Sequence, residues 1–304
     1  MDRRSVDWQG PMSAIATPFD AQGKLDESSF RQLVDQQIRD GVSGFVVGGC
    51  TGEFWSQTMD ERKRLHALCV EAVGGRVPVI AGTSMVSTPQ TIEMTEHAKA
   101  VGCDGAMVMP PWFVRLPGED VVAHYRAVSD AVKLPVMAYN IPSSNVNPLT
   151  PALVDRLADL DTVVAIKESS FDYRNFYHTI TRVKDRILVF GPLSQFGYAA
   201  LLLGSAGSVG VMHHIWGRNP TDLHDASMRG DYATALRLQQ TAEALLELLT
   251  GNGRSMYASL KACMQMLGQP IGAPRPPLQM PGPNDMRELS EGMRLLGIAL
   301  PAAA

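Results

Sequence analysis

The sequence contains few cysteines and few charges. Its four cysteines, among 304 residues, are scattered and form no C-x-x-C pair. Reduced thiols in a cytoplasmic protein are the simplest interpretation of that pattern. The net charge is only -4, and Lys and Arg form no run longer than three residues. This balance argues against a surface for nucleic acid or for an anionic membrane.

Long hydrophobic runs are also missing. No apolar stretch reaches the roughly 18 residues that a bilayer-spanning helix needs. The first ten residues, MDRRSVDWQG, lack the apolar centre of a signal peptide. The chain is nevertheless 45% hydrophobic and 19% charged, as expected for a globular enzyme with a large core. Its length suits one large barrel domain or two ordinary domains.

Eight short apolar runs alternate with segments of helical period. The runs are rich in Val and Ile and do not alternate with polar residues, which is typical of buried parallel strands. No G-x-G-x-x-G follows any run, which argues against a doubly wound, dinucleotide-binding sheet. Eight strand-then-helix units in about 210 residues favour a closed (β/α)8 barrel over a doubly wound sheet. The runs are Met12–Thr17, Gly44–Gly49, Val77–Gly82, Gly105–Met109, Val136–Asn140, Val163–Lys167, Ile187–Phe190 and Ser208–Val211.

Capping signals and a helical tail complete the prediction. Thr58 and Glu61 predict a capping box, and Thr88 and Thr150 are each expected to cap a helix that begins with the following proline. We predict a barrel core over residues 1–219 and appended helices of the same structural unit over residues 220–304. The predicted tail helices are Pro220–Arg229, Tyr232–Leu249, Ser255–Leu267 and Asp285–Leu296, with a Pro- and Gly-rich loop at Gly268–Pro283.

Active sites of such barrels lie at the carboxyl ends of the strands, and Lys167 closes the sixth run. An ammonium there would be desolvated, which favours the neutral amine. A neutral amine can attack a ketone and form an iminium. From its position alone, Lys167 could equally be a lysine that forms an ion pair with a buried carboxylate such as Glu168.

Two other strand ends carry candidate groups. Tyr139 ends the fifth run and should neighbour Lys167, where its phenol could move protons. An ordinary core tyrosine with a satisfied hydroxyl is the alternative. The turn Gly48–Gly52 offers closely spaced backbone N–H groups that can hold a carboxylate, although glycine turns are common and the signal is weak alone.

Three short segments together resemble a known family. Gly49–Glu53, Tyr139–Pro142 and Ile166–Glu168 look like the signature segments of the dihydrodipicolinate synthase / N-acetylneuraminate lyase family. Their order and spacing also match, and the similarity runs from about Gly10 to about Pro281. The resemblance implies a (β/α)8 barrel with added C-terminal helices, a cofactor-free lyase acting on a small 2-oxo acid, and a homotetramer built as a dimer of dimers.

The resemblance also implies residue roles. Lys167 resembles the imine-forming lysine, and Tyr139 resembles the proton-relay tyrosine. Thr51, with the amide of Cys50, resembles the pair that binds the carboxylate of a pyruvate-like substrate. Gly191 and Val209 fall where the family lines the lysine pocket with backbone, and Ser144 is also expected in the substrate pocket.

Three positions depart from the family pattern. Cys50 replaces a hydroxyl residue, and a thiol is the poorer hydrogen-bond relay. Phe113 stands where relatives carry a tyrosine that crosses the tight dimer interface, so the usual relay of three hydroxyls lacks two members. Ser144 occupies the place of the arginine that, in true dihydrodipicolinate synthases, binds the carboxylate of the semialdehyde substrate.

These departures disfavour lysine biosynthesis. They favour aldol cleavage or dehydration of a hydroxylated 2-oxo acid, such as a 2-keto-3-deoxy sugar acid. A metal-dependent aldolase would need a His/Asp/Glu triad at strand ends, which the sequence does not reveal. Two alternatives stay open, a binding or regulatory protein that lost the relay and a condensing enzyme of the dihydrodipicolinate synthase type. His213 and His214 are expected to be loop histidines, with a pocket-facing position as the alternative, and Arg115 is a candidate replacement cation.

Overall fold

Eight parallel strands close into a barrel in the computed structural model, which describes residues 1–301. The strands pair strictly in chain order, and β1 pairs with β8 to close the ring. The (β/α)8 barrel predicted from the sequence is therefore confirmed. The strands are β1 Gly10–Ala14, β2 Phe45–Val47, β3 Val79–Gly82, β4 Gly105–Val108, β5 Val136–Asn140, β6 Val163–Glu168, β7 Leu188–Gly191 and β8 Gly207–Gly210.

Each strand is followed by a helix on the outside of the barrel, and three further helices come after the eighth. One-turn 3-10 helices occur at Phe54–Ser56, Met212–His214 and Gly251–Gly253. The α-helices are α1 Glu27–Arg39, α2 Met59–Val73, α3 Thr88–Ala100, α4 Gly118–Ala131, α5 Pro151–Leu157, α6 Tyr173–Val183, α7 Leu193–Leu202, α8 Asn219–Arg229, α9 Tyr232–Thr250, α10 Met256–Met266 and α11 Pro283–Leu295.

The strand prediction was right in number and order, with shifts at the ends. The largest shift is in β1, which begins at Gly10 rather than Met12 because Gly10 already pairs with Gly207 of β8. It ends at Ala14, the last residue that pairs with β2. The apolar residues that follow continue past the sheet into the mouth of the barrel. Hydrophobicity in the sequence indicates which residues are buried, but it does not show which of them form hydrogen bonds to the neighbouring strand.

Successive side chains of a strand point to opposite sides, and this separates two buried clusters. Inside the barrel lie side chains such as Met12, Ile80, Met137 and Phe190. Outward-facing strand residues pack against the helices in a larger cluster. On β5 and β6 the alternation sends Tyr139 and Lys167 inward and Ile166 outward. The barrel interior is thus filled with side chains, and a cavity opens at its carboxyl end.

Two of the three capping predictions are confirmed. Thr58 and Glu61 form a complete capping box on α2, and the Thr150 hydroxyl accepts a hydrogen bond from the Leu153 N–H. The prediction for Thr88 was wrong by one residue, because the Ser87 side chain caps α3. Thr88 is the first helical residue, and its hydroxyl lies 2.9 Å from Nδ1 of His124.

The tail helices lie against the last barrel helices. α8 contacts β1 and serves as the eighth outer helix, and α9 lies along α7 and α8. Leu245 and Leu260, on α9 and α10, belong to the same buried cluster as the barrel helices. The division at residues 219 and 220 stays a prediction, and residues 302–304 of the predicted tail lie outside the described residues. Among residues 1–301, no helix is both long enough and apolar enough to cross a membrane.

Candidate active site

A cavity of about 380 Å³ opens at the carboxyl ends of the strands. Residues from the barrel form its floor, and residues from α9 and α10 form part of its wall. Of the described residues that line it, Lys167 alone carries a full charge. The rest of the lining is neutral and mixes hydroxyl, amide and apolar side chains. The cavity therefore combines one amine with a surface suited to an uncharged substrate tail.

Lys167 lies at the centre of this floor. It is 8% exposed, and it pairs in register with Tyr139 of β5 and Phe190 of β7. Its Nζ lies 4.4 Å from the centroid of the Tyr139 ring, so the predicted neighbourhood of Lys167 and Tyr139 is confirmed. Burial lowers the pKa of Lys167 to about 8, because desolvation disfavours the ammonium form.

The alternative of an ion pair between Lys167 and Glu168 was wrong. Consecutive residues of β6 face opposite sides, and the Glu168 carboxylate points away from the cavity. Its oxygens accept hydrogen bonds from Asn140 Nδ2 at 2.8 Å and from the Ser170 N–H at 2.7 Å. In the part of the chain that the structure describes, no carboxylate lies within 4.0 Å of the Lys167 amine. Lys167 is thus buried without a counter-charge.

Tyr139 and Cys50 face each other across the cavity floor. The Tyr139 hydroxyl lies 4.0 Å from Cys50 Sγ, and Tyr139 is only 4% exposed. Burial raises the pKa of Tyr139 well above its usual value. Burial also raises the pKa of Cys50, although the nearby Lys167 charge acts in the opposite direction. Both groups are therefore neutral near pH 7, and either can donate in the contact between them.

The turn that carries Cys50 and Thr51 is held tightly. Gly48, at φ 70°, approaches β3 so closely that a Cβ on Gly82 would lie 2.3 Å from the Gly48 carbonyl oxygen. Glu53 ends the turn at φ 57°, fully buried. Its carboxylate lies 2.6 Å from the Lys261 amine of α10. This ion pair gives Glu53 a structural position outside the cavity lining.

Most of the predicted site residues line the cavity, and one does not. Lys167, Tyr139, Cys50, Thr51, Ser144 and Val209 all line it. Gly191 does not, because the alternation of β7 turns its side-chain direction outward. A Cβ on Gly191 would lie 3.0 Å from the Phe176 ring and 3.1 Å from Cβ of Ala200. The small residue therefore accommodates α6 and α7, and its expected backbone contribution to the lysine pocket stays a prediction.

The two histidines after β8 face away from the cavity. His214 Nε2 accepts a hydrogen bond from the Ala16 N–H at 3.0 Å, and His213 Nε2 lies 3.1 Å from the Thr221 hydroxyl. Both are buried in the one-turn 3-10 helix of the loop between β8 and α8, as expected of loop histidines, and the alternative of a pocket-facing position was wrong. Burial lowers the pKa of His213 to about 3 and that of His214 to about 4. Arg115 is exposed and lies outside the lining.

No three His, Cys, Asp or Glu side chains within residues 1–301 cluster in a way that could hold a metal ion. The ligand triad that a metal-dependent aldolase would need is therefore missing from the described residues.

The structure brings several residues to the site that sequence reasoning missed. Tyr257 of α10 lies beside Cys50, and Phe171, at φ 57°, lines the cavity after β6. One signal was available for Tyr257, because a tyrosine on an apolar helix face must find a partner for its hydroxyl. Other lining residues that were missed include Gln195, Leu246, Thr250 and Met256.

Comparisons with known proteins agree with this geometry. The Dihydrodipicolinate synthetase family profile matches residues 7–293. A protein described as an uncharacterized DapA-like lyase from Rhizobium meliloti is 35% identical over 272 residues, covering 90% of each chain. A 4-hydroxy-tetrahydrodipicolinate synthase from Exiguobacterium sibiricum is 33% identical, covering 94% of this chain and 97% of its own.

A similar solved structure is YagE, a prophage protein of the dihydrodipicolinic acid synthase family from E. coli K12, in complex with pyruvate. It is 27% identical, with a TM-score of 0.93, and the match covers 97% of this chain and 100% of YagE. The chain belongs to the dihydrodipicolinate synthetase family.

The lowered pKa of Lys167 predicts a pH-dependent stability difference. Because the folded value of about 8 lies below the ordinary 10.5, the unfolded chain binds more protons between these values, and the free energy of unfolding rises with pH. Lys167→Met removes this dependence. Its stability relative to wild type should therefore fall by about 2 kcal/mol between pH 7 and pH 9.5.

Urea unfolding at both pH values and at fixed protein concentration measures this difference. Lys133→Met, at a position 52% exposed, is the matched control and should show no such change. A constant difference between wild type and Lys167→Met at the two pH values would contradict the lowered pKa.

Proposed function

We propose that this protein is a cofactor-free lyase that captures a 2-oxo acid as an imine on Lys167. The observation that carries the proposal is the single, desolvated amine in a neutral cavity, with a pKa lowered to about 8 by burial. A useful fraction of such an amine is unprotonated near neutral pH and can act as a nucleophile. The family to which the chain belongs supports the same class of enzyme.

The reaction would begin at the C2 ketone of the substrate. The Lys167 amine adds to C2, and loss of water gives an iminium. The iminium then accepts the electron pair released when a neighbouring C–C or C–H bond breaks; elimination of a C–O bond can follow. Tyr139, whose ring lies 4.4 Å from the amine, is placed to move protons during these steps. Thr51 and the amide of Cys50 would hold the substrate carboxylate from the neighbouring turn.

The tail of the substrate would meet neutral groups. Ser143 and Ser144 line the cavity after β5, and Gln195 and Thr250 line it on other sides. Hydroxyl and amide groups can both donate and accept hydrogen bonds. They suit a hydroxylated tail better than a second carboxylate, whose burial without a cation is costly. Aldol cleavage or dehydration of a hydroxylated 2-keto-3-deoxy acid is the reaction that this lining supports best.

Reduction with borohydride in the presence of pyruvate should trap the imine. Intact mass should rise by one pyruvate-derived group, and peptide mapping should place it on Lys167. Lys167→Ala should abolish the adduct, whereas Lys133→Ala, at an exposed lysine, should retain it. Failure of the wild-type protein to form an adduct with any of a panel of 2-oxo acids would favour a binding or regulatory role.

Changes at Ser144 test the substrate tail. Ser144→Arg should reduce kcat/KM for a hydroxylated 2-oxo acid at least tenfold, because the long cation fills the tail site. Ser144→Ala, the matched control, should cost less, because it removes one hydroxyl and leaves the space. The measurement is product release from a panel of 2-keto-3-deoxy acids.

The wild-type protein should not complement a lysine auxotroph, and complementation would contradict this view of the loop.

We also propose a homotetramer in the cytoplasm. Phe113 is 86% exposed and Val114 is 53% exposed on the loop after β4, where relatives place a subunit contact. Adjacent apolar side chains on a loop are typical of such a contact. Light scattering at micromolar concentration should give about four times the 33.0 kDa chain mass, and a monomer under those conditions would contradict the assembly.

A further inference from the structure

Two tyrosines lie near the Cys50 thiol. Tyr139 OH lies 4.0 Å from Cys50 Sγ, and Tyr257 of α10 lies beside Cys50 in the same cavity lining. All three residues line the cavity that contains Lys167. Three groups that can each donate and accept a proton therefore lie close together within one subunit.

Tyr257 is held in this position by its own helix. It occupies the first turn of α10, and its ring centroid lies 5.1 Å from that of Trp55 at an interplanar angle of 57°. Lys261 lies four residues further along α10, on the same helical face. Its amine lies 2.6 Å from Glu53, three residues after Cys50. The same ion pair therefore fixes the helix that carries Tyr257 and the turn that carries Cys50.

The three groups also lead from the interior towards solvent. Tyr139 is 4% exposed, and Tyr257 is partly exposed. Phe113, which stands where relatives carry a relay tyrosine, has no hydroxyl and is 86% exposed in the isolated chain. Tyr257 is thus placed to supply the hydroxyl that Phe113 cannot.

We propose that Tyr257 is a positioning and proton-relay residue, which acts through Cys50 to pass protons between Tyr139 and solvent. The inference rests on the proposed imine chemistry and deepens it. The relay would lie wholly within one subunit.

The proton balance can be followed with pyruvate. Lys167 adds to C2, water leaves, and the iminium forms. One C3–H bond then breaks, its electron pair forms the C2–C3 bond of the enamine, and the proton goes to the Tyr139 oxygen. Tyr139 gives its own proton to Cys50 Sγ, Cys50 gives its proton to the Tyr257 oxygen, and Tyr257 gives its proton to water. Reversal with deuterium from solvent returns pyruvate with a C3–D bond.

The electrostatics favour a concerted transfer. Burial raises the pKa of Tyr139, of Cys50 and of Tyr257. None of the three is suited to hold a negative charge alone near pH 7. A chain in which each member gives one proton as it takes another avoids any persistent ion.

The test follows deuterium exchange of the pyruvate methyl group in D₂O by NMR, together with borohydride trapping of the imine on the full-length protein. Tyr257→Phe removes only the hydroxyl. It should slow exchange at least tenfold and leave the trapped imine within twofold of wild type. Tyr232→Phe, at a residue 55% exposed on α9, is the matched control and should change neither measurement.

Changes at Cys50 separate a relay from local packing. Cys50→Ser keeps a donor and acceptor, so exchange should persist, whereas Cys50→Ala should slow it as much as Tyr257→Phe does. The double variant Cys50→Ala with Tyr257→Phe should lose no more than either single variant, because both interrupt the same path.

The outcomes distinguish this proposal from the proposed function. Wild-type imine with unchanged exchange in Tyr257→Phe overturns the relay alone. Equal loss of imine and exchange in Tyr257→Phe also overturns it, because the residue would then support the pocket and not the proton path. Absence of imine in the wild-type protein overturns the proposed function, and the relay with it.

Discussion

A buried ion pair between Glu53 and Lys261 joins the two segments on which the cavity depends. Glu53 ends the turn that carries Cys50 and Thr51, and Lys261 lies on the helix that carries Tyr257. Both side chains are almost fully removed from solvent. Removing one partner of such a pair leaves an uncompensated buried charge, at a cost of about 3–5 kcal/mol. Each buried charge needs the opposite charge of the other segment, so this ion pair holds the tail helix α10 close to the barrel at the cavity.

Lys167 presents the opposite case, because it is buried with no carboxylate partner among the described residues. Glu168 is adjacent in sequence, yet the strand turns it towards Asn140 and Ser170. Burial without a counter-charge destabilises the protonated form of Lys167. It therefore favours the neutral amine, which is the nucleophilic form. The cost in free energy and the gain in reactivity have the same origin, which is desolvation by the apolar interior of the barrel.

The sequence was informative where the signal is periodic or local. Eight apolar runs predicted the barrel. The ends of those runs predicted that Lys167 and Tyr139 lie together, because parallel strands bring their carboxyl ends to the same side. Tyr257 was missed because it lies about ninety residues from Lys167 along the chain and reaches the cavity only through the packing of α10. The local pattern indicates that its hydroxyl needs a partner, but not which group provides one.

The cavity wall has two origins, and this has a consequence for how such enzymes diverge. Lys167, Tyr139 and Thr51 belong to the barrel, whereas Leu246 and Met256 belong to α9 and α10. Substitutions on those two helices can reshape the tail site without disturbing a single strand ladder. Selection, or a designer, can therefore alter which molecules the cavity admits by changing the tail helices, while the barrel residues on its floor stay the same.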